Sequence, residues 1–395
     1  MASLTDPMAT SAGMALPSVV TAGGRVITLA PEIVDVILEL LDDGKGALSR
    51  MMCTSKSMFD HTIKFFWKTA TLEMLNKLSS TPFDRRQRYA GAIREINITI
   101  GPYQILPPLH GNAFPQLERL AILYRSMPQL DWRHVFCHVD LAHLMVSTLT
   151  ETLDRHFLPH LARNCSQLRS LILDAKVFGA TSDDLVNVLQ CCKELRCLAV
   201  GWVAMDLTKN DTLMHTMAHP RLETLHWPNR MILARSNGAV TQVSKPALAN
   251  LTGLFLRTYA FETTHLLPHL SSLTRLTLKL DYSGLSIFPY LSRMTTLVKI
   301  KIRICDAFRF SPADLEALYP LKNLTHCIFV GNEDFSPPPH ANTASLIQPP
   351  SRPCELHKLE VLFIELENIW HLQNQLLTIA QVARNLRHLV SGMSS

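Results

Sequence analysis

The chain has 395 residues, 47% of them hydrophobic and 18% charged, with a net charge of +5. That balance excludes a disordered chain and suits a folded protein too long for one small domain. The charge excess is too slight for a general nucleic-acid binder, in which cations cluster, and no apolar run is long enough to span a membrane.

Residues 1–24 are small, weakly polar and without a basic opening, and Gly23-Gly24 closes them. They read as a flexible tail, not a signal peptide. The first regular element is LAPEIVDVILELL, Leu29 to Leu41. Pro31 fits the first turn of a helix, where its missing N–H costs nothing, and Glu32 suits the positive end of the helix dipole. Glu32, Asp35, Glu39 and Asp42 recur at steps that keep them on one narrow face. Ile33, Val34, Val36, Ile37, Leu38, Leu40 and Leu41 cover the rest. A helix this apolar is either central in a large core or shared with a partner.

Asp42-Asp43-Gly44 ends this helix. A short second helix is predicted over 47–53, and a third capped by Ser57, with Phe59, Ile63, Phe66 and Trp67 at helical spacing. Three short helices in about fifty residues make a poor core of their own, so the surplus face of the first one wants a partner. The run DRRQRYAGAIR, with Arg85, Arg86, Arg88 and Arg94, reads as a solvated helix face, contact with phosphate or acidic protein being the alternative.

From residue 93 a repeat takes over. QLERLAIL, QLRSLILD, ELRCLAVG, RLETLHWP, SLTRLTLKL, TLVKIKIRI and KLEVLFIEL all follow L-x-x-L-x-L, with first leucines at Leu117, Leu168, Leu195, Leu222, Leu273, Leu297 and Leu359. Weaker copies start at Ile93, Leu141, Leu251, Leu324 and Leu386. Ten of the eleven intervals are 22–29 residues, the period of a leucine-rich repeat. Each copy predicts a short strand with its leucines inward, and segments such as SDDLVNVLQCC and SPADLEALYP predict helices between strands. One such unit cannot bury its own apolar face; stacked units bury a continuous core. The expected fold is therefore an α/β solenoid, a leucine-rich-repeat horseshoe of about twelve degenerate repeats. The usual Asn or Cys after the strand is present at Cys305 and Asn332 but mostly absent. The long interval holds EDFSPPPHANTASLIQPPSRPC, Glu333 to Cys354, rich in Pro, Ser and Asn. It reads as a mobile loop grafted onto a repeat and dispensable for folding.

The chain carries no catalytic signature: no G-x-S-x-G, P-loop, H-E-x-x-H or G-x-G-x-x-G. His134, Cys137, His138 and His143 crowd together at a spacing that matches no zinc pattern, and core or repeat-face placement is expected. Nine cysteines, an odd number with no C-x-x-C pair, read as reduced thiols of a cytoplasmic or nuclear protein. Cys191, Cys192 and Cys197 read as small apolar thiols of a repeat.

The N-terminal helices resemble a known module. LAPEIVDVILELL…CTSKSMFDHTIKFFWKT is similar to an F-box, and an F-box followed by these repeats resembles the F-box/leucine-rich-repeat substrate adaptors, especially the divergent ones common in fungi. The box typically opens L-P-x-E-I, matched by Leu29, Pro31, Glu32 and Ile33. It typically closes C-K-S-W and, nine residues later, W-R-T, matched by Ser55-Lys56-Ser57-Met58 and Trp67-Lys68-Thr69. Ala30, Ser55 and Met58 depart from the pattern. The resemblance implies an F-box over 25–78, a repeat array over 79–395 with its loop at 333–354, and docking on the Skp linker of a Skp–cullin–F-box ubiquitin ligase. The family's linker contacts correspond to Leu29, Pro31, Ile33, Ile37 and Leu40, with Ile63 and Trp67 supporting or extending that face. The solenoid would present a protein substrate while the chemistry happens elsewhere in the complex, so neither enzyme activity nor a cofactor is expected. The alternative is a leucine-rich-repeat binding scaffold whose helices only cap the array.

Residues between the inward leucines face the concave surface. After Leu297 these are Lys299, Lys301 and Arg303; after Leu273 they are Arg275, Thr277 and Lys279; after Leu251 they include Phe255 and Arg257. Phe255, Arg257, Arg275, Lys279, Lys299, Lys301 and Arg303 are therefore the expected substrate face, suited to an acidic or phosphorylated segment.

Overall fold

The computed structural model describes residues 18–20, 26–41, 45–101, 107, 109, 113–124, 136–138, 140–153, 155–177, 179–201, 210–231, 250–281, 287–304, 311–331, 353–365 and 373–391. Within them, each of the twelve repeat segments forms a strand that starts two residues after its first leucine or isoleucine. In chain order the strands among the described residues are β1 (Ser18–Val20), β2 (Val26–Thr28), β3 (Thr69–Ala70), β4 (Glu95–Ile100), β5 (Arg119–Tyr124), β6 (His143–Leu153), β7 (Ser170–Val177), β8 (Cys197–Val200), β9 (Thr224–Met231), β10 (Gly253–Thr258), β11 (Arg275–Leu280), β12 (Lys299–Ile304), β13 (His326–Val330), β14 (Val361–Glu365) and β15 (His388–Ser391). The side-chain period of two sorts the strands into a buried and an outward face, most plainly in β12. In β12, Ile300, Ile302 and Ile304 are buried while Lys299, Lys301 and Arg303 are exposed. The first residue of every segment is buried except Leu386, which is half-buried.

The chain divides into two compact units, one running to Ile122 and one from Cys137 onward. In the second, ten strands from His143 to Ser391 lie side by side in chain order, paired in parallel. Helices return the chain between several of them, among them Phe157–Asn164, Ser182–Cys191 and Asn210–Met217. This is an α/β solenoid of the leucine-rich-repeat class. β9 bulges at Pro228 and Asn229, between the residues paired with Leu256 and Arg257, which is where a strand tolerates a proline without an N–H to donate.

The helix of SDDLVNVLQCC is present, started by a capping box in which Thr181 and Asp184 satisfy each other's backbone amides. SPADLEALYP departs from expectation, since only Pro312–Glu316 is helical. Pro320 in a continuing helix would clash with the Glu316 carbonyl, and Glu316 is where the helix stops.

The expected ladder residues Cys305 and Asn332 lie outside the described residues. Other side chains tie successive repeats together instead. Thr252 Oγ1 donates to the Glu223 carbonyl at 3.1 Å, Thr274 Oγ1 to the Thr252 carbonyl at 3.0 Å, and Thr325 Oγ1 to the Val298 carbonyl at 3.1 Å. Cys165, Cys192 and His219 occupy one repeat position. Cys192 Sγ donates to the Cys165 carbonyl at 3.3 Å, and His219 Nε2 lies 3.3 Å from the Cys192 carbonyl. Burial pushes the Cys192 thiol up to about 12, so this cysteine is a packing group, not a nucleophile.

The first unit holds the N-terminal helices α1 (Pro31–Leu40), α2 (Lys45–Met52), α3 (Lys56–Phe66), α4 (Leu72–Ser79) and α5 (Phe83–Ala90). Val34 and Leu38 of α1 pack with Leu48 of α2 in a small core, against which Leu29, Leu41, Met51, Met58, Phe65 and Phe66 lean. Lys64 Nζ donates to Asp35 Oδ2 at 2.6 Å, tying α3 to α1. The cap of α3 is Ser55, not Ser57. Ser55 is extended and its hydroxyl accepts from the Met58 amide at 3.1 Å, whereas Ser57 already lies in the first helical turn. Of the expected tail, residues 1–17 and 21–24 lie outside the described residues, while Ser18–Val20 pairs antiparallel with Val26–Thr28. The insert from Glu333 lies outside the described residues as far as residue 352.

Gly201 shows how closely the strands of the second unit approach. Its amide donates to the Leu173 carbonyl at 2.7 Å, and an added Cβ would sit 2.8 Å from the Asp174 Cα, against its carboxylate. Gly201→Ala must push the two strands apart and is expected to cost about 1–3 kcal/mol of stability, read as a lowered urea midpoint.

Candidate functional site

The α1 helix has three faces. Val34 and Leu38 are buried, Asp35 pairs with Lys64, and a third face stays open. On it Ile33 is 51% exposed, Val36 56%, Ile37 38% and Leu40 77%. The steps of three, one and three place them on one side of the helix. Six large apolar side chains are exposed among the described residues, and four of them are these. Scattered exposed leucines are ordinary; a contiguous row marks an interaction surface.

Of the expected linker contacts, Ile33, Ile37 and Leu40 lie in this row. Leu29 and Pro31 are half-buried at its N-terminal end, Leu29 packing against the α1–α2 core. Ile63 and Trp67 do not extend the face. Ile63 is 7% exposed and Trp67 8%. The Trp67 ring stacks on Tyr89 with centroids 5.0 Å apart, and Arg88 pairs with Asp60 while lying over Phe59. Phe59, Asp60 and Trp67 tie α3 to α5, and Ile63 is buried, so both Ile63 and Trp67 lie inside the unit. Val36 belongs to the row, although sequence reasoning left it out of the contacts. The arginine run is partly spent in the same packing, since Arg86 also donates to the Thr81 carbonyl.

On the solenoid, the outward residues of neighbouring strands stand in register. Arg275 pairs across from Lys299, Thr277 from Lys301 and Lys279 from Arg303. Arg275, Lys299, Lys301 and Arg303 are exposed, and none forms an ion pair with the described residues. Arg257 is different. Its Nε lies 2.9 and 2.8 Å from the two carboxylate oxygens of Asp281, whose side chain is only 4% exposed. Arg257 neutralises a buried acid and is part of the fold, so the expected substrate face loses that cation. Phe255 stacks on His226 with centroids 4.0 Å apart. Burial lowers the His226 imidazole below its usual range, which leaves it neutral at pH 7 and part of an aromatic surface.

His134 and Cys305 lie outside the described residues. Cys137 is buried and His138 half-buried, and no group of three or more metal-ligating side chains forms among the described residues. No helix among them is long and apolar enough to cross a membrane.

No protein-family model and no curated protein matches the chain. Among solved structures it is similar to an internalin of Listeria monocytogenes, at 16% identity over 78% of this chain and 83% of that one, with a TM-score of 0.43. It is also similar to the mouse RP105/MD-1 complex (12% identity, 82% and 68% covered, TM-score 0.32). A third is the leucine-rich repeat-containing protein LegL7 of Legionella pneumophila (13% identity, 67% and 90% covered, TM-score 0.30). The fold assignment rests on the repeats themselves.

Two arginines of the face should behave oppositely. Arg257→Ala strands the buried Asp281 carboxylate and is expected to cost about 1–3 kcal/mol. Arg303→Ala removes an exposed cation and is expected to change stability by less than about 0.5 kcal/mol. Urea unfolding of the two variants checks this.

Proposed function

We propose that the chain is the substrate-recognition adaptor of a Skp–cullin–F-box ubiquitin ligase, with α1 docking on the Skp linker and the repeats holding a protein substrate. The reading rests on the resemblance of residues 29–69 to an F-box. One observation carries it further: the exposed row of Ile33, Val36, Ile37 and Leu40. A helix that only capped the array would turn a polar side to water, whereas this one turns four apolar side chains out. Completing their burial is worth roughly 3–6 kcal/mol before the costs of association. The linker in turn leads to the cullin, and the repeats supply a protein-binding scaffold. No disulfide forms among the eight described cysteines, four of which are buried, which suits the reducing cytoplasm or nucleus.

The double substitution Ile33→Asp with Ile37→Asp puts two carboxylates into the middle of the row without touching Val34 or Leu38. It is expected to abolish co-purification with the Skp linker while circular dichroism and the urea midpoint of the repeat array stay unchanged. Undiminished linker capture by that variant would remove the adaptor reading.

A further inference from the structure

The open face of the solenoid is more than a basic patch. Its middle row, one outward residue per strand, reads His226, Phe255, Thr277, Lys301, Ile328 and Phe363 from β9 to β14. The basic block on β11 and β12 is thus bordered on one side by the stacked His226–Phe255 pair and on the other by Ile328 and Phe363, both half-buried. Above and below the row stand Arg275 and Lys299, then Lys279 and Arg303.

We propose that this face docks an extended acidic segment of a partner protein, lying across the strands, with carboxylates over the β11–β12 cations and an apolar side chain at each end. Three features point to that occupant. Like charges on adjacent strands repel, and Arg275, Lys299, Lys301 and Arg303 form no ion pair with the described residues. The cations form a grid about 5 Å by 7 Å and do not converge on one point, which matches several carboxylates better than a single phosphate. The two apolar borders lie about four strand spacings apart, close to 19 Å, which an extended chain covers in about six residues. The expected pattern is an apolar residue, a run of Asp or Glu, and a second apolar residue about six positions on. Naming this segment a ligase substrate rests on the adaptor reading; the docking itself does not.

The test is fluorescence anisotropy with the full chain and a labelled peptide carrying a run of aspartates between two leucines set about six residues apart. Binding is expected, weakening as salt rises. It should fall at least about tenfold for the triple change Lys299→Glu, Lys301→Glu, Arg303→Glu, and severalfold for Phe255→Ala with Phe363→Ala. Control peptides on the unaltered chain make the result independent of whether a variant folds. Asparagines in place of the aspartates should abolish binding, and serines in place of the leucines should weaken it. Equal binding of the asparagine peptide would overturn the proposal. Binding only of a phosphoserine peptide, or tighter binding of single-stranded RNA, would also overturn it. Skp-linker capture measured on the same preparations separates the two readings. Lost peptide binding with linker capture intact sinks the docking site alone, and peptide binding without linker capture leaves the site and removes the ligase.

Discussion

The described strands beyond residue 93 follow from one constraint: a single L-x-x-L-x-L unit has an apolar side it cannot cover by itself. Stacking covers it. Leu273, Leu276 and Leu278 of one repeat meet Leu297, Ile300 and Ile302 of the next, and all are essentially buried. Because side chains alternate along a strand, filling that core also fixes which residues face outward. The register of β11 on β12 then sets Arg275 beside Lys299 and Lys279 beside Arg303. Core packing fixes which positions face outward; at the exposed ones the chemistry is free to vary, whereas Arg257 is held by the buried Asp281.

The N-terminal helices obey the same rule on a smaller scale and with a different outcome. Val34, Leu38 and Leu48 make a core of only a few side chains. Too few elements are present to cover α1 on all its apolar sides, and the uncovered side is the row from Ile33 to Leu40. In the repeats, surplus apolar surface is closed by the next copy. On α1 it stays open, the physical basis for assigning it a partner.

Much of this was legible in the sequence. Period-two alternation located all twelve strands, because burial on one face leaves no second register. The surplus on α1 could be counted, but not apportioned, since Val34 and Val36 are alike in composition and differ only in what stands beside them. Trp67 looked available because its partner, Tyr89, lies on a helix whose packing against α3 no local pattern announces. Arg257 looked like Lys299 for the same reason. Asp281, which claims it, sits in the following repeat. Ser57 reads as a cap by residue type alone, and only the extended backbone at Ser55 shows that Ser55 takes the role. Phe255 already stands on the expected face; His226, Ile328 and Phe363 occupy equally readable outward positions and complete the apolar borders that give the basic block its ends.

The central claim is that α1 is a surface made to be covered. Hydrogen–deuterium exchange of the full chain, with and without purified Skp linker, tests it most directly. The account predicts that the linker slows exchange over residues 31–41 and leaves the strands from 143 to 391 unchanged. Exchange in α1 that is indifferent to saturating linker, or protection confined to the repeats, would contradict it.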